Sequence, residues 1–370
     1  MFKTAIESAT LIASALVQRL RYHKPLPAEF NPQRILVIKL DHLGDVLLAT
    51  PVFSNLRHVY PGAQIHALVG EWGAIVLRNH LDVDAIIQYD ARFFRRSGQS
   101  THLREAARLF RNLHREKYDL IIELRGDWLT AIFGLFKGSR YRLSRASLQI
   151  ANRLGRAQFT GGHEVDRNLD VLRSVQISTP LREVTFHPHP TDKTWVDNYF
   201  NRLGVAETCC LIAIHPGSPV ALKRWRPERF AAIADWLIAR KNAHILFVGV
   251  RTEIPIIAAI QKQMRNDSIN IAGQTTVSQL AEILKRCDLF LGNDSGPMHL
   301  AAAVATRTIG LYGPGHPQRF SPIGSHCQTI RRKPDCPPCM GTSCKFGGEG
   351  CMKEIEIGDV IQVIEEGLVQ

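Results

Sequence analysis

The residues best suited to chemistry gather in Gly292-Asn293-Asp294-Ser295-Gly296-Pro297-Met298-His299-Leu300, followed by three alanines. The apolar run Cys287–Leu291 before them reads as a buried parallel strand, and the alanine-rich tail as a helix. Asp294 and Ser295 then fall at the helix N-cap, where side-chain oxygens meet free backbone N–H groups. That end carries partial positive charge and suits an anion such as a phosphate. A capped helix with no ligand would explain Asp294 and Ser295, but it does not need Gly296, Pro297 and His299 packed into the same turn. Two more polar turns follow apolar strands. Asp41-His42-Leu43-Gly44-Asp45 offers carboxylates beside glycine, fit for a general base. His215-Pro216-Gly217-Ser218, with Lys223 beyond it, offers a hydroxyl and a lysine point charge for a phosphate. Neither G-x-x-x-x-G-K-[ST] nor G-x-G-x-x-G occurs, so no P-loop or dinucleotide fingerprint applies. A base facing a phosphate-binding half across a cleft fits transfer from a nucleotide-activated donor.

The elements that must position these turns repeat in two halves. In the first, Arg34–Leu40, Ile65–Val69, Ala85–Ile87 and Leu120–Leu124 read as strands. Helical patterns run from Val46 to Leu56 and from Thr101 to Lys117. In the second, Leu211–Ile214, Ile245–Gly249, Ile269–Gly273 and the run into Gly292 alternate with helices from Glu228 to Arg240 and from Ser278, and Thr308–Pro314 makes the last strand and glycine turn. Strands alternating with helices imply βαβ units and parallel sheets. Ligands in such sheets bind at the carboxyl ends of the strands. A His/Pro-rich segment, His187-Pro188-His189-Pro190, suggests an interdomain crossing near 180–205.

The chain of 370 residues is long enough for two domains, each with its own core. Its net charge of +12 favours acidic partners. Without a zinc-finger histidine pair or an aromatic-basic RNA signature, nucleic acid is the partner least expected. No apolar run approaches the roughly 18 residues needed to span a bilayer, and no cleavable signal peptide is evident, so a reducing cytoplasm is expected. Residues 1–24 pattern as a basic-ended amphipathic helix, able to lie on a membrane surface or to pack on the protein. Between Trp128 and His163 there is no acidic residue, but Lys137, Arg140, Arg142, Arg145, Arg153 and Arg156 are present. This reads as a solvated face or as a surface for an acidic ligand or membrane.

Together the segments Ile35–Pro51, His215–Pro227, Gly292–Leu300 and Leu311–Pro317 resemble glycosyltransferase family 9, the heptosyltransferases of lipopolysaccharide core synthesis. The resemblance covers about 34 to 330, in the family's order. It implies an α/β GT-B fold of two facing, Rossmann-like doubly wound domains with a cleft between them. The expected division is an N-terminal segment and linker at 1–30, an acceptor-binding domain at 31–190, a nucleotide-sugar-binding domain at 205–350 with a cysteine-rich loop, and a C-terminal helix at 351–370 packing back on the first domain. The implied activity is inverting transfer of a sugar, without a required metal or other cofactor, from a nucleotide-sugar such as ADP-heptose to an anionic lipid-linked saccharide. The implied place is the cytoplasm, at the inner membrane's cytoplasmic face. Asp45 matches the catalytic aspartate, and Asp41 is a rival, because many family members carry small hydroxyl residues before Gly-Asp. The resemblance also assigns Ser218, Lys223, Asp294, Ser295 and Gly296 to the donor's diphosphate, places His299 in the same donor-binding motif, and gives Glu253 and Thr275 to the adenosine. A member using another nucleotide-sugar, or a non-catalytic nucleotide-sugar-binding protein, are the alternatives.

Of eight cysteines, Cys336, Cys339, Cys344 and Cys351 crowd near the C-terminus, with two, four and six residues between them. Four thiolates in a Gly/Pro-rich loop could hold a structural zinc. Free thiols and disulfides are the other readings of the same spacing.

Overall fold

The computed structural model describes residues 26–89, 103–126, 139–153, 162–206, 209–332 and 350–366, with Cys339 and Cys344 besides. The described chain divides into two compact units between Val184 and Thr185.

In the first unit β1 (Arg34–Lys39), β2 (Gln64–Val69), β3 (Ala85–Gln88), β4 (Leu120–Glu123) and β5 (Tyr141–Ser144) form one sheet in the order β3-β2-β1-β4-β5. Every pairing is parallel, with Ile35 of β1 opposite both Ile65 and Leu120. Strands buried on both faces are expected to be apolar throughout, and the β1 run Ile-Leu-Val-Ile is. The chain winds outward through β1, β2 and β3, returns beside β1 as β4, and winds out the other way. The carboxyl ends of β1 and β4 therefore flank the topological switch point, where open α/β sheets bind ligands. The helical pattern from Val46 to Leu56 is two helices, Leu43–Leu47 and Thr50–Val59. Pro51 has no N–H to give the Leu47 carbonyl. That carbonyl takes the Thr50 hydroxyl at 2.8 Å instead.

The second unit repeats this plan. β6 (Leu211–His215), β7 (His244–Phe247), β8 (Ile269–Asn270), β9 (Leu289–Asn293), β10 (Thr308–Leu311) and β11 (Cys327–Ile330) make a parallel sheet in the order β11-β10-β9-β6-β7-β8. Its switch point lies between β6 and β9. Trp225, Phe230, Phe247, Leu291 and Leu311 are central to its core. Three expectations need correction. β5 and β11 were not anticipated, so Thr308–Leu311 is not the last strand; both are edge strands whose mixed sequences, Tyr-Arg-Leu-Ser and Cys-Gln-Thr-Ile, lack an apolar run. The crossing expected near 180–205 does hold the division at Val184–Thr185, but much of its length is the helix Asp192–Leu203, fastened within the second unit by Asp192 to the Ser278 hydroxyl and by Arg286 to Asp197 at 2.6 Å. The final helix, Ile357–Glu366, expected on the first domain, buries Val360 and Ile364 in the second unit's core. Arg307 donates to its Val363 and Ile364 carbonyls, each at 3.1 Å.

Among the described residues no helix is long and apolar enough to cross a membrane. The amphipathic segment at 1–24 lies outside them.

Candidate active site

At the first switch point β1 ends in a buried lysine. Lys39 Nζ lies 3.0 Å from the Asp41 carboxylate and 4.0 Å from Glu164, and donates to the Leu124 carbonyl at 3.5 Å. Asp41 has a second cation, Arg125 Nη1 at 3.2 Å. Arg125 also donates to the Leu40 carbonyl, so it ties the turn after β4 to the turn after β1. Glu123 builds that turn: one carboxylate oxygen accepts the Arg125 and Gly126 amides at 2.7 and 2.8 Å, the other the Ser144 hydroxyl at 3.0 Å. Behind it, buried Arg145 grips Glu164 with both terminal nitrogens and donates to Asn168 at 3.1 Å. Asn168 in turn donates to the Leu48 carbonyl at 3.0 Å.

Asp45 sits one turn above this network, in the helix Leu43–Leu47. Its carboxyl makes no hydrogen bond or ion pair among the described residues, unlike that of Asp41. Burial first, and then the charge of Asp41, push its pKa up; Lys39 opposes this, Glu164 adds to it, and His42 opposes it weakly. A carboxyl raised in this way takes up a proton more readily than an ordinary aspartate.

At the second switch point Lys223 Nζ meets Asp294 Oδ2 at 2.5 Å. Gly315 (φ +141°) lets the backbone come close: a Cβ there would stand 3.0 Å from the same Asp294 oxygen. Asn293, buried at the end of β9, accepts the Trp225 amide at 3.1 Å and donates to the Pro216 carbonyl at 2.8 Å, joining the turns after β6 and β9. Ser218 is buried in the first of these, where its hydroxyl accepts the Val220 amide at 3.3 Å. Gly296 opens the helix Gly296–Ala303, and Ser295 occupies the N-cap position without capping it. Its hydroxyl turns instead to His215 Nδ1 and the Asn293 carbonyl, each at 3.0 Å. The other nitrogen of His215 faces Glu253 at 3.2 Å. Glu253 approaches Gly217 so closely that a Cβ there would lie 1.9 Å from its carboxylate. His299 is buried within the helix. Thr275 and Glu253 lie on the turns after β8 and β7, which the Gly273 amide joins by donating to the Gly249 carbonyl at 2.9 Å.

The second switch point thus gathers Ser218, Lys223, Asp294, Ser295 and Gly296, and the first gathers Asp41 and Asp45. Two details differ from expectation. Asp294 is not a cap but the partner of Lys223. Arg145, grouped with an exposed basic surface, is buried against Glu164; residues 128–138 and 154–161 of that stretch, with Lys137 and Arg156, lie outside the described residues. Lys39, Glu123, Arg125 and Glu164 were not singled out from the sequence, and His215 and Asn293 were named in their turns without a role. The one legible signal was a charge ending an apolar strand, as Lys39 and Glu123 do. The structural zinc finds no support: no three His, Cys, Asp or Glu residues among those described could hold a metal, and Cys336 lies outside them. Cys339 and Cys344 are free thiols.

Two doubly wound parallel sheets in succession, each with its polar residues at the switch point, are the architecture of the GT-B fold. Solved structures agree on the fold. A glycosyl transferase family 9 protein from Veillonella parvula superposes with a TM-score of 0.75 at 23% identity, over 92% of this chain and 98% of that one. The E. coli heptosyltransferase WaaC with ADP-2-deoxy-2-fluoro heptose gives 0.66 at 18% identity, over 90% and 99%. The family model described as glycosyltransferase family 9 (heptosyltransferase) matches residues 106–349, and the chain belongs to that family. It is a glycosyltransferase. Lipopolysaccharide heptosyltransferase 3 of Escherichia coli is 27% identical over 278 residues, 73% of this chain and 80% of that protein.

Proposed function

We propose that the protein transfers heptose from ADP-heptose to a lipopolysaccharide core acceptor, with inversion at the anomeric carbon and without a catalytic metal. The lipopolysaccharide heptosyltransferase among its relatives supports the sugar and the acceptor, and the ADP-heptose analogue bound by the similar WaaC supports the donor. The observation that carries the mechanism is the contrast between the two aspartates. Asp41 is neutralised by Lys39 and Arg125, whereas Asp45 has no such partner and an upward-shifted pKa.

In this reading Asp45 is the base. Its carboxylate takes the proton of the acceptor hydroxyl as that oxygen attacks the anomeric carbon. The bond from that carbon to the diphosphate breaks, and its electron pair leaves with ADP. A single attack opposite the leaving group inverts the centre. Lys223, steadied by Asp294, and the Gly296 amide at the start of Gly296–Ala303 meet the charge on the diphosphate. Ser218 and Ser295 belong to the same turns, and His299 is buried in the helix that follows. Glu253 and Thr275, on adjoining turns, take the nucleoside end. The acceptor is anionic and lipid-linked, and the enzyme works at the cytoplasmic face of the inner membrane.

Calorimetry with ADP, UDP and GDP, followed by transfer assays with ADP-heptose and a heptose-deficient core acceptor, tests the proposal. Selective ADP binding and heptose transfer are expected. Preference for UDP or GDP would discard the donor and leave a family member with another nucleotide-sugar.

A further inference from the structure

The run Lys223-Arg224-Trp225-Arg226 puts three cations in four residues, and they differ in what they meet. Lys223 pairs with Asp294 at 2.5 Å, and Arg226 reaches Glu228 at 3.6 Å. Arg224 is exposed and has no carboxylate within ion-pair distance among the described residues. Its backbone is fixed on both sides. The Arg224 amide donates to the Ala221 carbonyl at 3.0 Å, closing the short 3-10 turn Ala221–Lys223. The next amide, that of Trp225, donates to Asn293 at 3.1 Å, and the buried indole donates to the Ile355 carbonyl at 2.8 Å. Arg224 itself is extended (φ −86°, ψ 125°), and along extended backbone successive side chains point to opposite sides. Trp225 turns into the core, so Arg224 turns out of it.

The guanidinium is nevertheless pinned. Its Nε donates to the Ser218 carbonyl at 2.8 Å. That bond leaves Nη1 and Nη2 as a planar fork with no partner among the described residues. Ser218 stands in the turn after β6, and its neighbour Gly217 lies against the Glu253 carboxylate. Burial acts to raise the Glu253 pKa, but the bond and charge of His215, the Val250 amide and the charge of Arg224 outweigh it. Arg224 therefore stands where the turn carrying Ser218 meets the turn carrying Glu253.

We infer that Arg224 is a ligand-contacting residue of the second switch point, presenting its two terminal nitrogens as a fork to the phosphate next to the nucleoside. A guanidinium matches two oxygens of one phosphate, and one already held at Nε loses little freedom when the fork closes on them. Lys223, shared with Asp294, is left for the outer phosphate. The choice of phosphate rests on the nucleoside-diphosphate reading of the second unit; the fork as an anion contact does not.

Calorimetry on the full-length protein and on Arg224→Ala, with ADP, AMP, adenosine and inorganic pyrophosphate, tests it. ADP and AMP should each bind about tenfold more weakly to the variant, the scale of one hydrogen bond to a charged group, and adenosine equally to both proteins. A loss for ADP without one for AMP would overturn the choice of phosphate. An equal loss for adenosine would make Arg224 a contact of the nucleoside and overturn the fork. Added salt should weaken ADP binding less steeply in Arg224→Ala than in the parent, because a screened charge has gone. Loss of the Ser218 bond alone would leave that slope unchanged, so equal slopes would overturn a direct contact. Arg224→Lys, which keeps the charge without the fork, should recover only part of the loss, and full recovery would overturn the two-nitrogen grip. If the parent binds no ADP, the nucleotide reading falls and pyrophosphate still decides the fork. Weaker pyrophosphate binding to Arg224→Ala than to the parent keeps it, and equal binding, or none to either, discards it.

Discussion

The two switch points share one topology and do opposite things with charge. In the second unit the side chains pair off: Lys223 with Asp294, His215 with Glu253. What remains open there is the Gly296 amide, at the start of a helix that the Ser295 side chain does not cap, and the fork of Arg224. In the first unit Lys39 and Arg125 both serve Asp41, and Arg145 serves Glu164. What remains open is a side chain, the carboxyl of Asp45. A parallel sheet delivers its strand ends to one edge whatever the sequence. The residues in the turns decide whether that edge holds an anion or moves a proton.

Breaking the first site should give the largest effect. Asp45→Asn is expected to lower kcat by about 10²–10⁴-fold, the usual contribution of a general base, with ADP affinity nearly unchanged by calorimetry. The same variant should be more heat-stable near neutral pH. The folded pKa of Asp45 lies above its unfolded value, so its contribution to stability is present below the unfolded value and is lost as pH rises through the folded one. Thermal melts of the two proteins should therefore diverge as pH rises through that window. Arg145→Ala leaves Glu164 buried without its main partner and should cost about 3–5 kcal/mol in denaturant unfolding. In the second unit Lys223→Ala should weaken ADP binding by about 1.5–3 kcal/mol. Equal affinity would remove Lys223 from the diphosphate. The smallest change is expected for Asp41→Asn, with kcat within about tenfold of the parent, since the Asp41 carboxylate is already occupied by Lys39 and Arg125. A loss matching that of Asp45→Asn would erase the distinction between the two aspartates.

The fold was legible wherever burial on both faces makes a strand apolar, as in Ile35–Ile38 and Leu289–Leu291. It was illegible in β5 and β11, whose mixed sequences carry no apolar run. The turns were legible because glycine, aspartate and serine collect in them. Their wiring was not, since it depends on partners far along the chain. Lys39 meets Glu164, and His215 meets Glu253 and Ser295, only once the strands are stacked. Arg145 shows the limit most plainly. The acid-free stretch that suggested an exposed basic surface ends at His163, and the next residue, Glu164, is the partner that buries it. The final helix was placed by family resemblance, whereas its own apolar positions, Val360 and Ile364, face the second core.

The most direct test of Asp45 as the base is the pH dependence of kcat/KM for the parent and for Asp41→Asn. The parent's acid limb should lie above the ordinary aspartate range, because burial and Asp41 raise the Asp45 pKa. Asp41→Asn should retain activity and move that limb to lower pH: one raising charge is gone, and Lys39 is freed to act on Asp45. An acid limb that stays in place, or activity lost with Asp41, would contradict the assignment.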